Sequence, residues 1–370
     1  MVKTQSDGEF SDTMDLSEMT WLVRDFGEAV SSCKITDSSF IIGGWNGKLA
    51  QYSHDGDLLW ETKWEDRISD IAAKGNTVFA TSGLHITATN QKSGQKEWSS
   101  ALEGSSDALV ATEDFVHVVS SVYDIEHYDF LESAVWTFSH SGEEIHVHRV
   151  DERPWSIISA EDEILLGMGR PKCGIAKLDQ SHEIEIIHDT DSPITCGLSG
   201  NTQCLFGMAN GEVINQYGKT LMSSKGDSVE AVICIPEGFV SSYESGKISS
   251  ASSSGEHLWE KKLQKITTVC DGAHGNKNHV FIGSSSGMSG EITCISSENG
   301  GELAKMSSGK PICSDGTRRW VLIGCEDGRF YAWEADLLTR RIENNNQQET
   351  NQIDITRRQS LRDKLRNFKS

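Results

Sequence analysis

The chain has 370 residues, 36% of them hydrophobic, and 34 basic side chains against 55 acidic ones give it a net charge of −21. Such a surface repels the phosphate backbone and anionic membranes, so the body of the protein is not expected to bind nucleic acid. No stretch reaches the ~20 apolar residues of a membrane span, Met1 to Ser17 lacks the apolar run of a signal peptide, and nine cysteines without a C-x-x-C pair fit unpaired thiols; together these predict a cytoplasmic protein.

From the N-terminus, residues 1–16 read as a disordered acidic arm. Thr20-Trp21-Leu22-Val23-Arg24 has the pattern of a strand, and from Val30 a unit begins that repeats. In its first copy Phe40-Ile41-Ile42-Gly43 is an apolar strand and Asn46-Gly47 a hairpin turn. Leu49-Ala50-Gln51-Tyr52 follows as a third strand, and Asp55-Gly56 turns into Leu58-Leu59-Trp60. The turn glycine with tryptophan four residues later returns as Gly94–Trp98 and Gly255–Trp259. Degraded copies are Gly142–His146, Ser181–Glu185, Gly218–Met222, Gly301–Lys305 and, near the start, Ser17–Trp21. The fourth positions advance by 39, 38, 48, 39, 37, 37 and 46 residues. A period near 40 residues built of short strands predicts an all-β fold, an eight-bladed β-propeller of four-stranded blades.

The step of 48 marks an insertion of about ten residues between the second and third strands of repeat three, carrying Tyr123, Tyr128 and Phe130. Repeat four has a basic turn, Arg170-Pro171-Lys172, and the link before it contains Arg153-Pro154-Trp155. The eighth repeat has Trp320 to Gly324 and Phe330 to Trp333, and takes its outer strand either from Leu337 to Ile342 or from the Trp21 segment. The frame match favours Trp21, so the N-terminal strand closes the ring and removes an open edge. The propeller then spans 17–342, with a polar linker at 343–355 and a basic amphipathic tail helix at 356–370. In that tail Thr356 to Gln359 has the form of a capping box, and Leu361, Leu365 and Phe368 share one helical face. Arg358 and Arg362 add to its positive charge, so the tail is expected to tether the protein to an acidic partner or anionic surface, with Ser360 set as in a basophilic kinase site.

The Gly-x-x-x-Trp ending, the Asp-Gly or Asn-Gly turn before the third strand and the period near 38 residues resemble the PQQ-like repeat of quinoprotein alcohol dehydrogenases and of the assembly factor BamB. The resemblance covers about residues 17–340 and implies eight blades. WD40 propellers end their blades in Trp-Asp after an upstream Gly-His, and neither signature occurs. Quinoprotein enzymes add a calcium, a catalytic aspartate and often a vicinal disulfide; this chain has no adjacent cysteines, and no calcium ligands map onto it. No cofactor, metal or catalytic residue is therefore expected.

Other motifs have bland readings beside the functional ones. Gly283-Ser284-Ser285-Ser286-Gly287 matches G-x-S-x-G but falls in a hairpin, without the strand-to-helix elbow that would expose a nucleophile. His146 and His148 alternate along one strand and suit zinc, yet no third ligand has matching spacing, so they read as part of a half-exposed outer strand. Cys33, Cys196, Cys234, Cys270 and Cys313 fall early in the repeats and read as packed structural thiols. Trp60, Trp98 and Trp259 read as packing between blades, whereas Trp45 lies inside a turn where little covers it. The expected function is a monomeric, non-catalytic cytosolic scaffold for an unidentified protein partner, bound through Trp45, Tyr123, Tyr128, Phe130, Arg153, Trp155, Arg170 and Lys172 on one rim. The alternatives are a PQQ-dependent oxidoreductase and a BamB-like assembly factor.

Overall fold

The structure, a computed structural model, describes residues 13–345 apart from 127, 128, 161, 162, 180, 201, 202, 276 and 288. Its strands form eight sheets, each built on four antiparallel strands that follow one another in chain order except in the last; the seventh gains a short fifth strand, Met14–Asp15, from the N-terminal end. The last sheet takes Pro311–Gly316, Trp320–Cys325 and Arg329–Glu334 from the end of the array and Leu22–Asp25 from its start. Leu22 to Asp25 pair antiparallel with Ala332 to Arg329, and the Trp21 N–H continues the ladder to the Ala332 carbonyl at 2.8 Å. The innermost strands touch in cyclic order, blade 1 to blade 8 and back to blade 1. The eight-bladed propeller closed by the N-terminal strand is therefore the observed architecture.

Second strands such as Ser39–Gly44 and Trp320–Cys325 are buried throughout, because neighbouring blades cover both faces. Outer strands such as Ile184–Asp189 alternate, with one face on a neighbour and one in water. The core is accordingly eight separate wedges between adjacent blades; Phe40, Trp320 and Phe330 anchor the wedge of blades 8 and 1, and Phe79, Trp136 and Phe138 that of blades 2 and 3. Several second strands carry a glycine near their end, where the next blade begins. A Cβ on Gly43 would lie 2.6 Å from Ile68, one on Gly207 2.4 Å from Val229, and one on Gly324 2.3 Å from Val30. The frame tryptophans fasten the outer edge: the Nε1 of Trp21, Trp60, Trp98 and Trp259 donate to carbonyls in the next blade's third-to-outer turn, at His54, Gln91, His140 and Ser297.

Four sequence readings change. Order begins before residue 17: Met14–Asp15 pairs parallel with Ala304 and Lys305, and Leu16–Met19 forms a 3-10 turn, because Leu16 and Met19 are buried between blades 7 and 8. The end of the propeller is a helix over residues 335–345 and not a linker from 343. Glu334 caps it, accepting the Leu337 N–H at 2.9 Å, while Leu338 and Ile342 join Leu16 and Met19 in the core. The repeat-three insertion lengthens two paired strands, Phe115–Asp124 and Asp129–Ser139, into one tall hairpin instead of a loop. Finally, the frames of repeats four and seven shift by one residue. The turn position held by Gly56, Gly94 and Gly142 belongs to His182 and Gly300, each closing its turn by an N–H to a carbonyl three or four residues back. The tail helix expected at 356–370, with Arg358, Leu361, Arg362, Leu365 and Phe368, lies outside the described residues.

Candidate functional site

The turns between second and third strands share a rim with the links between blades. In blade 1 this turn is Trp45-Asn46-Gly47. The Glu28 carboxylate ties it down, accepting the N–H groups of Asn46 at 2.8 Å and Lys48 at 3.3 Å. The Trp45 ring stays 43% exposed, and the Arg67 guanidinium of the next link stacks on it at 4.0 Å. Blade 3 repeats the device on a larger scale. Arg153, in the link to blade 4, lies between the rings of Phe130 and Trp155 at 3.6 and 3.8 Å. Asp107 fixes its guanidinium from below at 3.1 Å. Burial pushes the Arg153 pKa down and Asp107 opposes that shift, but a guanidinium remains a cation throughout. Tyr123 meets Phe130 edge-on at 5.0 Å and extends the aromatic surface, with both Tyr123 and Trp155 46% exposed.

Of the residues expected at the rim, Tyr123, Phe130, Arg153 and Trp155 thus form one cluster, and Trp45 forms a second with Arg67. Arg67 has no signal in the sequence beyond its place in the first blade-to-blade link, matching that of Arg153 in the third. The Trp155 indole packs on Gly169, where a Cβ would lie 2.7 Å from its Nε1. Arg170 and Lys172 follow in the adjoining turn, exposed, and no ring contact or ion pair joins them to the cluster among the described residues. Tyr128 lies outside the described residues.

A second cluster sits on the outer edge. His146 and His148, on the strand Glu144–Val150, face blade 4, whose turn presents Glu183. The Glu183 carboxylate lies 2.8 Å from His148 Nδ1 and 3.6 Å from His146 Nε2. A third group of ligand type therefore comes from the next repeat, where no spacing rule along a single strand could locate it. Other motifs stay structural. Ser285, the centre of G-x-S-x-G, is buried in the strand His279–Ser286, and the next element is another strand. All nine cysteines are free, and the five singled out lie on innermost strands. Burial pushes the Cys196 thiol up to about 12, which leaves it protonated and inert near neutrality.

Comparison with known proteins agrees with this architecture. A family model described as outer membrane protein assembly factor BamB matches residues 15–170. The computationally designed Ika8 protein superposes with a TM-score of 0.67 at 16% identity, covering 84% of this chain and 98% of its own. BamB from Moraxella catarrhalis gives 0.63 at 14% identity, covering 85% and 98%. The C-terminal WD40 domain of Sif2 gives 0.65 at 11% identity, again covering 85% and 98%. No curated protein matches in sequence. The fold is thus an eight-bladed β-propeller, and its first part, residues 15–170, is similar to the BamB-type, PQQ-like repeat family.

Proposed function

We propose that this chain is a non-catalytic scaffold for protein–protein interaction in the cytosol, docking its partner on the rim of blades 1 to 4. The observation that carries the reading is the cluster in which the Arg153 guanidinium contacts both Phe130 and Trp155, whose rings meet edge-on, flanked by Tyr123 and matched by Trp45 on Arg67. Aromatic and arginine side chains dominate interface energies, and an arginine already locked between rings loses little freedom when a partner covers it. The net charge of −21 favours a partner with a basic surface. Nine unpaired thiols support a reducing compartment.

The test is partner capture from the native host by the full chain and by a Trp45→Ala/Tyr123→Ala variant. Both rings are more than 40% exposed, so the variant should keep its melting temperature while capture falls at least tenfold. Undiminished capture would remove the rim from consideration. The match to an assembly factor favours a second form of the same reading, in which the partner is a client awaiting assembly and not a permanent neighbour. An oxidoreductase is tested by adding pyrroloquinoline quinone with calcium: a large rise in melting temperature would displace the scaffold reading.

A further inference from the structure

We propose that the junction of blades 3 and 4 is a binding site for a divalent transition metal of the zinc class, held by His146, His148 and Glu183. The two imidazoles stand two residues apart on one strand and so project from the same face. The three ligand atoms lie within 4.8 Å of one another, and the Glu183 carboxylate offers one oxygen to each imidazole, at 3.6 and 2.8 Å. In a tetrahedral site with bonds of about 2.0–2.1 Å, ligand atoms stand about 3.3–3.4 Å apart, so small rotamer shifts complete it. Two histidines and one glutamate are a recognised zinc set, and they leave a fourth position for water or a partner's side chain.

The turn that carries Glu183 is fixed in advance. Asp179 Oδ1 accepts the N–H groups of Ser181 at 2.7 Å and Glu183 at 2.9 Å, and the Asp179 N–H returns to the Glu183 carbonyl at 2.9 Å. A second, independent observation comes from His182. It holds the turn position that is glycine in blades 1, 2, 3, 5, 6 and 7, at a φ of +62° against +66° to +95° for Gly56, Gly94, Gly142, Gly218, Gly255 and Gly300. A side chain with a Cβ is uncommon there, histidine being among those that tolerate it, and glycine serves every other such turn. The His182 imidazole lies over His146, with ring centroids 6.1 Å apart and planes at 28°, and is braced edge-on by Phe115 at 5.2 Å. His182 is thus a positioning residue that orients His146 toward the carboxylate. At the junctions of blades 1 with 2 and 2 with 3, a tryptophan N–H bonded to a carbonyl makes the fastening. Here His146 replaces the tryptophan, and a metal would do the fastening.

The test titrates Zn2+ into the chelator-stripped full chain against a chromophoric competitor, beside His148→Ala and Glu183→Gln. The wild type should take up one equivalent, and each variant should bind more weakly by at least the ~10–100-fold that loss of even an outer partner causes. Because free cysteines also bind zinc, Co2+ serves as the second probe, and its spectrum should lack thiolate charge-transfer absorption. His182→Gly keeps the turn and should fold, yet loosen the metal. No uptake by the wild type, equal uptake by the ligand variants, or a thiolate-type cobalt spectrum would overturn the site and leave His148 and Glu183 as a polar contact between blades.

Discussion

At His117 and His279 the fold suppresses a charge. His117 is 4% exposed, and burial, then the neighbouring His182, push its pKa down to about 4. Burial also pushes His279 down; its Nδ1 sits 3.0 Å from the Ala273 carbonyl. In the unfolded chain both begin to take up a proton below about pH 6.5, and in the folded chain only at lower pH, so in that window the unfolded state binds more protons and stability falls as pH drops. Denaturant titrations from pH 7 toward 4 should show this loss, and a His117→Gln/His279→Gln variant should show a flatter profile across that window. Turn glycines carry the opposite lesson. Gly94, at a φ of +71°, lies where a Cβ would stand 2.7 Å from the Trp60 ring. Gly94→Ala should therefore cost about 2 kcal/mol or more, read from the chemical-denaturation midpoint. The same turn logic explains what the sequence hid at the His146, His148 and Glu183 cluster. Alignment of Ser181 with the turn glycines places His182 one residue off and makes it look unremarkable, whereas the hydrogen bond from His182 N–H to the Asp179 carbonyl reveals a histidine in a glycine's place.

Blade strands were legible because each carries its own period and turn chemistry. Asn46-Gly47 and Asp55-Gly56 fix two turns of blade 1, and the apolar run between them has nowhere to go but a sheet. The helix over 335–345 was not legible in the same way, since Leu337 and Leu338 also suit a short strand. What decides is tertiary: the outer position of blade 8 is already filled by Leu22–Asp25, so the chain leaves the sheet, and Ala335, Leu338 and Ile342 bury one helical face. The rim cluster was half legible. Aromatic residues in an insertion, and arginine in the following link, were visible; that Arg153 lies between Phe130 and Trp155 depends on the hairpin rising as paired strands, with Tyr123 opposite Phe130. Asp107 holds that arginine from the innermost strand of blade 3. Asp107→Asn should leave the melting temperature nearly unchanged but weaken partner capture, because the guanidinium loses its fixed anchor; capture equal to wild type would show that the stack alone orients it.

The molecule as a whole is a closed ring of eight wedges, each sealed only by two blades together. Its two described ends meet at blades 7 and 8: Met14–Asp15 lies on the outer strand of blade 7, and the 335–345 helix covers Leu16 and Met19. Truncation after residue 345 should therefore preserve the melting temperature, whereas truncation after Glu334 should lower it by several degrees, and calorimetry of the two forms distinguishes them. Closure also has a consequence in time. Leu22 is made early, but its partner Ala332 comes 310 residues later. At ~5–20 residues per second a ribosome needs roughly 15–60 s to cover that distance. Throughout it, the wedge of blades 8 and 1 lacks the wall that Trp320, Leu322 and Phe330 supply, and Leu22, Val30 and Phe40 stay uncovered on that side. Growth of the nascent chain therefore leaves one sticky edge exposed until its final blade emerges, and chaperone occupancy of the early segment should persist until then.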